Sequence, residues 1–241
     1  MKWYIPREHG AWAMFIVPYW IGASITGINL HHGIFFLGLL SIYFAQAPLL
    51  TYLRQPKHKD VWPSFIIYMI CGSLFALPYI WIDPQLLVIG LFILPFFCVN
   101  LIFAKLKKER LFINDVVAIT ALSGLLLFSY RLGHGVITVE AFHYVIVTIA
   151  FFTGSVFHVK SLLREKGNVV FRKVSTTYHV VMVIVMTVAS FYGAAVAFLV
   201  SLLKTLVLPK KYFQRPMQIG VIEIINSSVF FVAIIVGYYY G

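Results

Sequence analysis

The chain has 241 residues, of which 61% are hydrophobic and 11% are charged, and its mean hydropathy is +0.91. Soluble domains carry about 25% charged residues, so this composition excludes an ordinary water-soluble globule. The formal net charge of +11 is the kind of excess that cytoplasmic loops of membrane proteins carry, and we therefore expect no nucleic-acid partner.

The lysine and arginine residues are grouped in a way that predicts topology. Eighteen of the nineteen fall in five short clusters, and two apolar stretches separate each consecutive pair of clusters. Loops that stay in the cytoplasm keep their cations, whereas translocated loops lose them. The pattern predicts a multi-pass protein of the bacterial cell (inner) membrane, with its amino terminus in the cytoplasm and its carboxyl terminus outside.

The predicted fold is an all-α, polytopic transmembrane bundle of nine spans that forms one domain over residues 1–241. Spans must be helical because the bilayer interior offers backbone groups no water. The apolar stretch after His9 has no small-residue cleavage pattern, which indicates a first span rather than a removable signal. The predicted spans are residues 11–28, 33–53, 61–82, 86–104, 114–130, 142–158, two short ones within 177–208, and 217–236.

The stretch 177–208 allows two interpretations. Its 32 residues are too many for one span and few for two. One span would leave the cations from Lys204 to Arg215 outside, whereas two spans that turn near Tyr192 and Gly193 keep them inside. We favour two. Residues 29–32, the Asp83–Pro84 pair and a loop holding Arg131 are then outer turns, and Arg131 is the one cation outside the clusters.

The segment from Arg7 to Gly10 lies at the mouth of the first span. Amide donors at a helix start attract anions, and Arg7 and His9 add a charge and an imidazole. The alternative interpretation is an interfacial anchor with a local Arg7–Glu8 ion pair.

A second candidate runs from Lys105 to Asp115. Cations are favoured at the C-terminus of the fourth span, and Asn114 or Asp115 is predicted to cap the fifth. That local explanation needs no ligand, but the same side chains suit an anionic head group.

The third candidate follows the sixth span, where His158 and five cations precede a run of hydroxyl residues. Cations and hydroxyls together suit phosphate, but an anionic leaflet surface attracts the same cations. Glu223, about two turns into the last span, is a fourth candidate because an ionisable group at membrane depth is costly. Its alternative is a shallow ion pair with a cation of an adjoining inner loop.

The histidines show no compact metal motif, since no pair has the i, i+4 spacing with a carboxylate. Convergence of His9, His58, His158 and His179 on a haem or a metal is an alternative that spacing alone does not test. We expect no metal site.

The opening run Arg-Glu-His-Gly-Ala-Trp-Ala-Met, residues 7–14, resembles the start of the YwiC-like family of bacterial membrane proteins. That family brings no established activity. More distantly, nine spans with long inner loops after the second and the sixth resemble the layout of UbiA-type intramembrane prenyltransferases. The basic run at residues 103–111 and the Lys-Val-Ser-Thr at 173–176 are similar to segments of their inner loops.

The sequence departs from those enzymes at their Asp-rich motifs, which hold Mg²⁺ against a prenyl diphosphate. The first inner loop here has only Asp60 and the second only Glu165. Mg²⁺ is bound through carboxylates together with substrate phosphates, so we expect neither Mg²⁺ nor another cofactor. What the resemblance still implies is a lipid-accessible apolar chamber with a cationic mouth.

The resulting hypothesis is a UbiA-like bundle, in contact with membrane lipids, that binds an anionic isoprenoid or quinone-type lipid at its basic cytoplasmic face. Catalysis stays open; an enzyme of this kind would be a metal-independent transferase. The alternatives are a small-anion transporter and an accessory subunit of a respiratory membrane complex. The head-group candidates are Arg7, Arg54, Lys57, Lys105, Asn114, Asp115, Lys160, Arg164, Arg172 and Lys173, and the acid–base candidates are His9, His58, His158 and Glu223.

Overall fold

The structure is a computed structural model that describes residues 3–6, 9–207 and 216–241. Within these ranges all regular secondary structure is helical, which confirms the predicted fold class. A short 3₁₀ turn (Lys59–Val61) precedes α3. The helices are α1 (His9–Thr26), α2 (Leu30–Arg54), α3 (Trp62–Ile82), α4 (Gln85–Lys105), α5 (Phe112–Ser123), α6 (Leu125–His134), α7 (Val139–Leu163), α8 (Val169–Val188), α9 (Tyr192–Val207) and α10 (Pro216–Tyr240).

Seven segments of the described chain are long and apolar enough to cross a membrane. They are α2, α3 with its preceding turn, α4, α5 together with α6, α7, α8 and α10, while α1 and α9 are shorter apolar helices. This composition and these lengths make the protein a transmembrane helical bundle.

The stretch 177–208 contains parts of two helices, as favoured from the sequence, but their limits differ. The turn lies at residues 189–191, directly before the predicted Tyr192–Gly193, and Ser190 adopts the left-handed region there (φ 62°). Helix α8 begins at Val169 because the side chain of Asn168 accepts a hydrogen bond from the Phe171 amide and so caps it. The residues from Arg172 to Thr176 are therefore helical, and their assignment to a loop was wrong.

Two outer turns are also shorter than predicted. Asn29 caps α2, so that His31 and His32 lie in its first turn, and His32 is fully buried with Nε2 2.9 Å from the Ser129 carbonyl. At the same end of the bundle, α6 continues to His134 and stops at Gly135, which adopts φ 78°. Arg131 therefore lies in a helix and not in a loop.

Contacts between distant segments sort the helix ends into two groups. The cationic end, defined by residues 54–60, 105–111 and 160–168, also contains Tyr4, whose hydroxyl donates to Asp60 at 2.5 Å. The distal end, defined by residues 27–30, 83–85 and 135–138, also contains Tyr239, whose hydroxyl donates to the Ser24 carbonyl at 2.8 Å. The His134 and Arg164 segments lie at opposite ends of α7.

The centre of the bundle is aromatic. Phe15, Phe151, Phe198 and Phe230 are almost completely buried, and the rings of Phe151 and Phe230 stack with their centroids 3.9 Å apart. Helices α3 and α4 are peripheral and present most of their apolar side chains outward. Polar side chains that are shielded from lipid and water therefore lie mainly on the other helices, which pack around this aromatic centre.

Candidate functional site

Three of the predicted head-group residues, Asp115, Lys160 and Arg164, take part in contacts between the end of α7 and the start of α5. Lys160 Nζ lies 2.7 Å from Asp115 Oδ2 and donates to the Arg110 carbonyl at 3.0 Å. Arg164 donates through Nη1 to the same carbonyl, also at 3.0 Å. These contacts attach the end of α7 to the loop before α5. They occupy N–H donors of Lys160 and Arg164 that would otherwise be available to an anionic head group.

The predicted caps of the fifth span were wrong. Helix α5 begins at Phe112, and Leu111 occupies its N-cap position without a side-chain hydrogen bond. Asn114 instead donates through Nδ2 to the Glu109 carbonyl at 3.0 Å, and Arg54 pairs with Glu109 at 2.9 Å. Asn114 and Arg54 thus hold the loop before α5 in place through Glu109, and Asn114 does not cap the helix.

The remaining predicted residues are spread over the cationic end. Lys57, Lys105, Arg172 and Lys173 are exposed, and none of them forms an ion pair with another described residue. His58 lies against Gln55 at 2.8 Å and Asp60 at 3.7 Å. Arg7 and the side chain of His9 lie outside the described residues, so their predicted roles stay predictions.

A shallow, open groove follows one face of α8, near the cationic end. Its volume is about 410 Å³. Another groove of about 600 Å³ runs along α3 and carries no charged residue in its lining. The lining of the α8 groove consists of Val170, Lys173, Val174, Thr177, Tyr178 and Val181.

The most buried charges of the described chain lie elsewhere, between α9 and α10. Lys204 Nζ is 2.6 Å from Glu223 Oε1, and the two side chains are only 6% and 7% exposed. His158 of α7 places Nε2 3.9 Å from the same carboxylate oxygen and Nδ1 3.2 Å from Thr205 Oγ1. Of the predicted acid–base residues, His158 and Glu223 are thus brought together, and His58 is not.

Further buried polar side chains from all four helices surround this group. His179 donates through Nδ1 to the Ser175 carbonyl at 2.7 Å, and Ser201 donates to Asn226 Oδ1 at 3.1 Å. Gly154 of α7 faces His179, and a Cβ there would lie 3.2 Å from its Nε2. We call the set the four-helix polar site: the buried Ser155, His158, Ser175, His179, Ser201, Lys204, Glu223, Asn226 and Ser227, with the half-buried Thr205.

The sequence contained a signal for this site that spacing could have shown. Ser201, Lys204 and Thr205 have i, i+3, i+4 spacing, and so do Glu223, Asn226 and Ser227, so each trio occupies one helix face. Lys204 was instead assigned to an inner loop. The predicted ion pair of Glu223 with an inner cation exists, but burial makes it a core contact and not a shallow one.

Among the described residues, one ion pair lies at the distal end. Arg131 binds Asp83 through Nε at 2.6 Å and through Nη2 at 3.1 Å, so the contact is bidentate. The guanidinium beside Asp83 holds the pKa of that carboxyl below its usual range. This pair joins the α3–α4 turn to α6 and explains the one cation that the topology had left unassigned.

The fold and the site define a class: a transmembrane helical protein with one cation-rich end and a polar site enclosed by four helices. The chain belongs to the YwiC-like family, as the sequence motif predicted, since the model of that family matches residues 5–130. It is 31% identical over 235 residues to the uncharacterized protein YwiC of Bacillus subtilis (strain 168), which covers 95% of this chain and 96% of that protein.

A second relative is an uncharacterized protein of Haemophilus influenzae, 30% identical over 239 residues that cover 98% of this chain and 99% of its own length. No solved structure matches the chain. The UbiA-like layout therefore stays a prediction. Among the described residues, no group of three His, Cys, Asp or Glu side chains is arranged to hold a metal ion.

Proposed function

We propose that this protein binds an amphipathic lipid with an anionic head group at its cationic end, with the hydrocarbon chain along α8. The observation that supports the proposal is the α8 groove, in which Lys173 is the one charged residue among six lining residues. A cation beside an apolar groove is complementary to a phosphate on a hydrocarbon chain.

The order of residues along the groove follows the polarity of such a ligand. Lys173 lies one turn from the start of α8, Thr177 one turn deeper, and Val181 a further turn toward the centre of the helix. With a rise of about 1.5 Å per residue, the lining extends roughly 12 Å past the lysine. An uncharged quinone gains little from the ammonium group, so charge favours an isoprenoid phosphate or diphosphate.

The proposed orientation places the cationic end in the cytoplasm, because the inner loops of bacterial membrane proteins retain Lys and Arg. The amino terminus then lies inside and the carboxyl terminus outside. Membrane-impermeant labelling of single cysteines placed at Lys166 and at Gly135 tests this. Labelling of both positions from the same side of the membrane contradicts the topology and, with it, the position of the groove.

The binding test uses the full chain in nanodiscs and a fluorescent polyprenyl diphosphate as the probe. The matching polyprenol lacks the charge, and phosphatidylglycerol competes as an ordinary anionic lipid. Lys173→Ala is expected to weaken diphosphate binding about fivefold, since one cation near an anionic group contributes about 1 kcal/mol. Lys166→Ala removes an exposed cation of the same region outside the groove and is expected to change binding little.

The hydrocarbon part of the proposal has its own pair of variants. Val174→Trp fills the groove and is expected to abolish saturable binding, whereas Val180→Trp enlarges an exposed residue of α8 that does not line it. Equal binding by these two variants, or displacement of the probe by phosphatidylglycerol at equal concentration, contradicts a dedicated isoprenoid site.

A second candidate function is transport of a small anion, and the burial of Lys204 favours it. Charged residues inside a bundle mark substrate and ion pathways. It ranks lower because Glu223 neutralises the lysine at 2.6 Å. Uptake of labelled phosphate or chloride into proteoliposomes, lost in Lys204→Met, would favour transport over lipid binding.

A further inference from the structure

The hydroxyl group of Thr177 has no hydrogen-bond partner in the part of the chain that the structure describes. Thr177 is exposed and lines the α8 groove. A threonine within a helix usually donates to the carbonyl four residues earlier unless it points into solvent. Two other exposed hydroxyls follow that pattern: Thr187 donates to the Val183 carbonyl at 2.8 Å, and Ser228 donates to the Ile224 carbonyl at 3.0 Å. Thr177 therefore keeps a donor that these two residues have used.

Thr177 lies where the exposed surface of α8 changes from polar to apolar. Arg172 and Lys173 are exposed about one turn earlier. The exposed residues between Thr177 and Thr187 are all apolar: Val180, Val181, Ile184 and Val185. The phosphate groups of membrane lipids occupy the corresponding layer, directly outside the hydrocarbon core. The unused hydroxyl is therefore at the depth of a phosphate and not of a hydrocarbon chain.

The lining of the groove forms two rows of residues spaced four apart. Lys173, Thr177 and Val181 form one row, and two valines and Tyr178 form the other. Residues four apart lie on the same face of a helix. Tyr178 offers no donor to a ligand, because its hydroxyl donates to the Ala150 carbonyl at 2.8 Å. The polar groups of the lining that are available to a ligand are thus the ammonium of Lys173 and the hydroxyl of Thr177.

These two groups act at different levels of the groove. Their backbone positions are about 6 Å apart along the helix axis. Side chains of a helix lean toward its N-terminus, and a lysine beside hydrocarbon extends its ammonium toward the head-group layer. We therefore expect Lys173 to extend toward the cationic end and away from Thr177, whose short side chain stays beside its own turn. A diphosphate can span both positions, whereas a single phosphate group fills one of them.

We propose that Thr177 is a specificity-determining residue of the α8 groove, which donates a hydrogen bond to the phosphate that carries the hydrocarbon chain, while Lys173 binds the terminal phosphate. This assignment rests on the lipid binding proposed above. It makes the diphosphate of an isoprenoid alcohol the preferred ligand over the monophosphate. Binding uses hydrogen bonds and charge, and no covalent bond changes.

The test measures binding of a fluorescent polyprenyl diphosphate and of the matching monophosphate to the full chain in nanodiscs. The wild type is expected to bind the diphosphate more tightly. Thr177→Val keeps the shape of the side chain and removes the donor, so it is expected to weaken binding of both probes about tenfold, the effect of one hydrogen bond to a charged group. Thr177→Ser retains the donor and is expected to keep the affinity.

Thr187→Val is the matched control, because it makes the same change on the same helix outside the groove. It is expected to leave binding unchanged. Added salt separates charge from hydrogen bonding: it should reduce the effect of Lys173→Ala and leave that of Thr177→Val nearly unchanged. Equal salt dependence of the two effects contradicts the division of roles between Lys173 and Thr177.

Four results overturn the role of Thr177 or the ligand assigned to it. They are wild-type affinity in Thr177→Val, an equal loss in Thr187→Val, equal affinity of the wild type for the two probes, and displacement of the probe by inorganic phosphate at equal concentration. A wild type that binds neither probe contradicts lipid binding itself. Binding that depends on Lys173 and not on Thr177 contradicts this inference alone.

Discussion

The two ends of the bundle hold ion pairs of different kinds. At the distal end, Arg131 and Asp83 are 18% and 25% exposed and join a turn to a helix. Toward the cationic end, pairs occur at three depths: Lys204–Glu223 in the interior, Lys160–Asp115 below the surface, and Arg54–Glu109 at the surface. Ion pairs of the same chemistry therefore differ in their effect on stability, because burial decides how much free energy an unpaired charge costs.

The largest effect is expected for Lys204→Met, which leaves Glu223 buried without its counter-charge. Breaking a buried pair from one side costs about 3–5 kcal/mol. Thermal unfolding in detergent measures the loss. The double variant Lys204→Met/Glu223→Met leaves no lone charge and is expected to recover most of the stability. A double variant as unstable as the single one would show that the pair itself, and not the orphaned carboxylate, stabilises the bundle.

Lys160→Met comes next, because Lys160 is 10% and Asp115 is 25% exposed. The variant also removes the hydrogen bond to the Arg110 carbonyl, and we expect a loss of about 2 kcal/mol in the free energy of unfolding. Arg164→Gln is the matched comparison, since Arg164 donates to the same carbonyl from an exposed position. An equal loss in both variants would contradict the dependence on depth.

Asp83→Asn tests the distal end and is expected to cost about 1 kcal/mol at neutral pH. Arg131 lowers the pKa of Asp83 in the folded protein. The contribution is therefore present above the unfolded pKa of about 3.9 and is lost as the pH falls through the lower folded value. Melting temperatures of the wild type and of Asp83→Asn should converge in acid. A constant difference across the pH range would contradict a charge-based contact.

The smallest effect is expected for Arg54→Gln. Both partners are more than a third exposed, at 40% and 34%, and exposed pairs contribute between 0 and about 1 kcal/mol. Added salt should reduce the difference from the wild type further. A loss as large as that of Lys160→Met would mean that Glu109 secures the loop before α5 more firmly than its exposure indicates.

The helical segments could be predicted from the sequence because apolar stretches of membrane length leave the backbone no alternative to helix. The errors lie at the helix ends. Asn168 starts α8 early, Asn29 starts α2 early, and Gly135 ends α6 late, since local hydrogen bonds and a left-handed glycine outweigh hydropathy there. A search for caps outside the apolar stretches would have found the first two.

The candidate site was predicted only in part. His158 and Glu223 were singled out by type and depth, and the structure brings them together. Lys204 was missed because the positive-inside pattern counts a lysine near a helix end as a loop residue. In the structure α9 continues to Val207 and turns Lys204 toward α10.

Hydropathy and charge act locally along the polypeptide, so the amino-acid sequence was enough to predict a transmembrane bundle of the YwiC-like family with most of its cations on one side. Which of these cations form ion pairs depends on how the helices pack. Lys160 and Lys204 form ion pairs with carboxylates from other helices, whereas Lys173 is exposed beside the α8 groove. The reason is that ion pairing depends on distances between helices, and helix packing alone sets those distances.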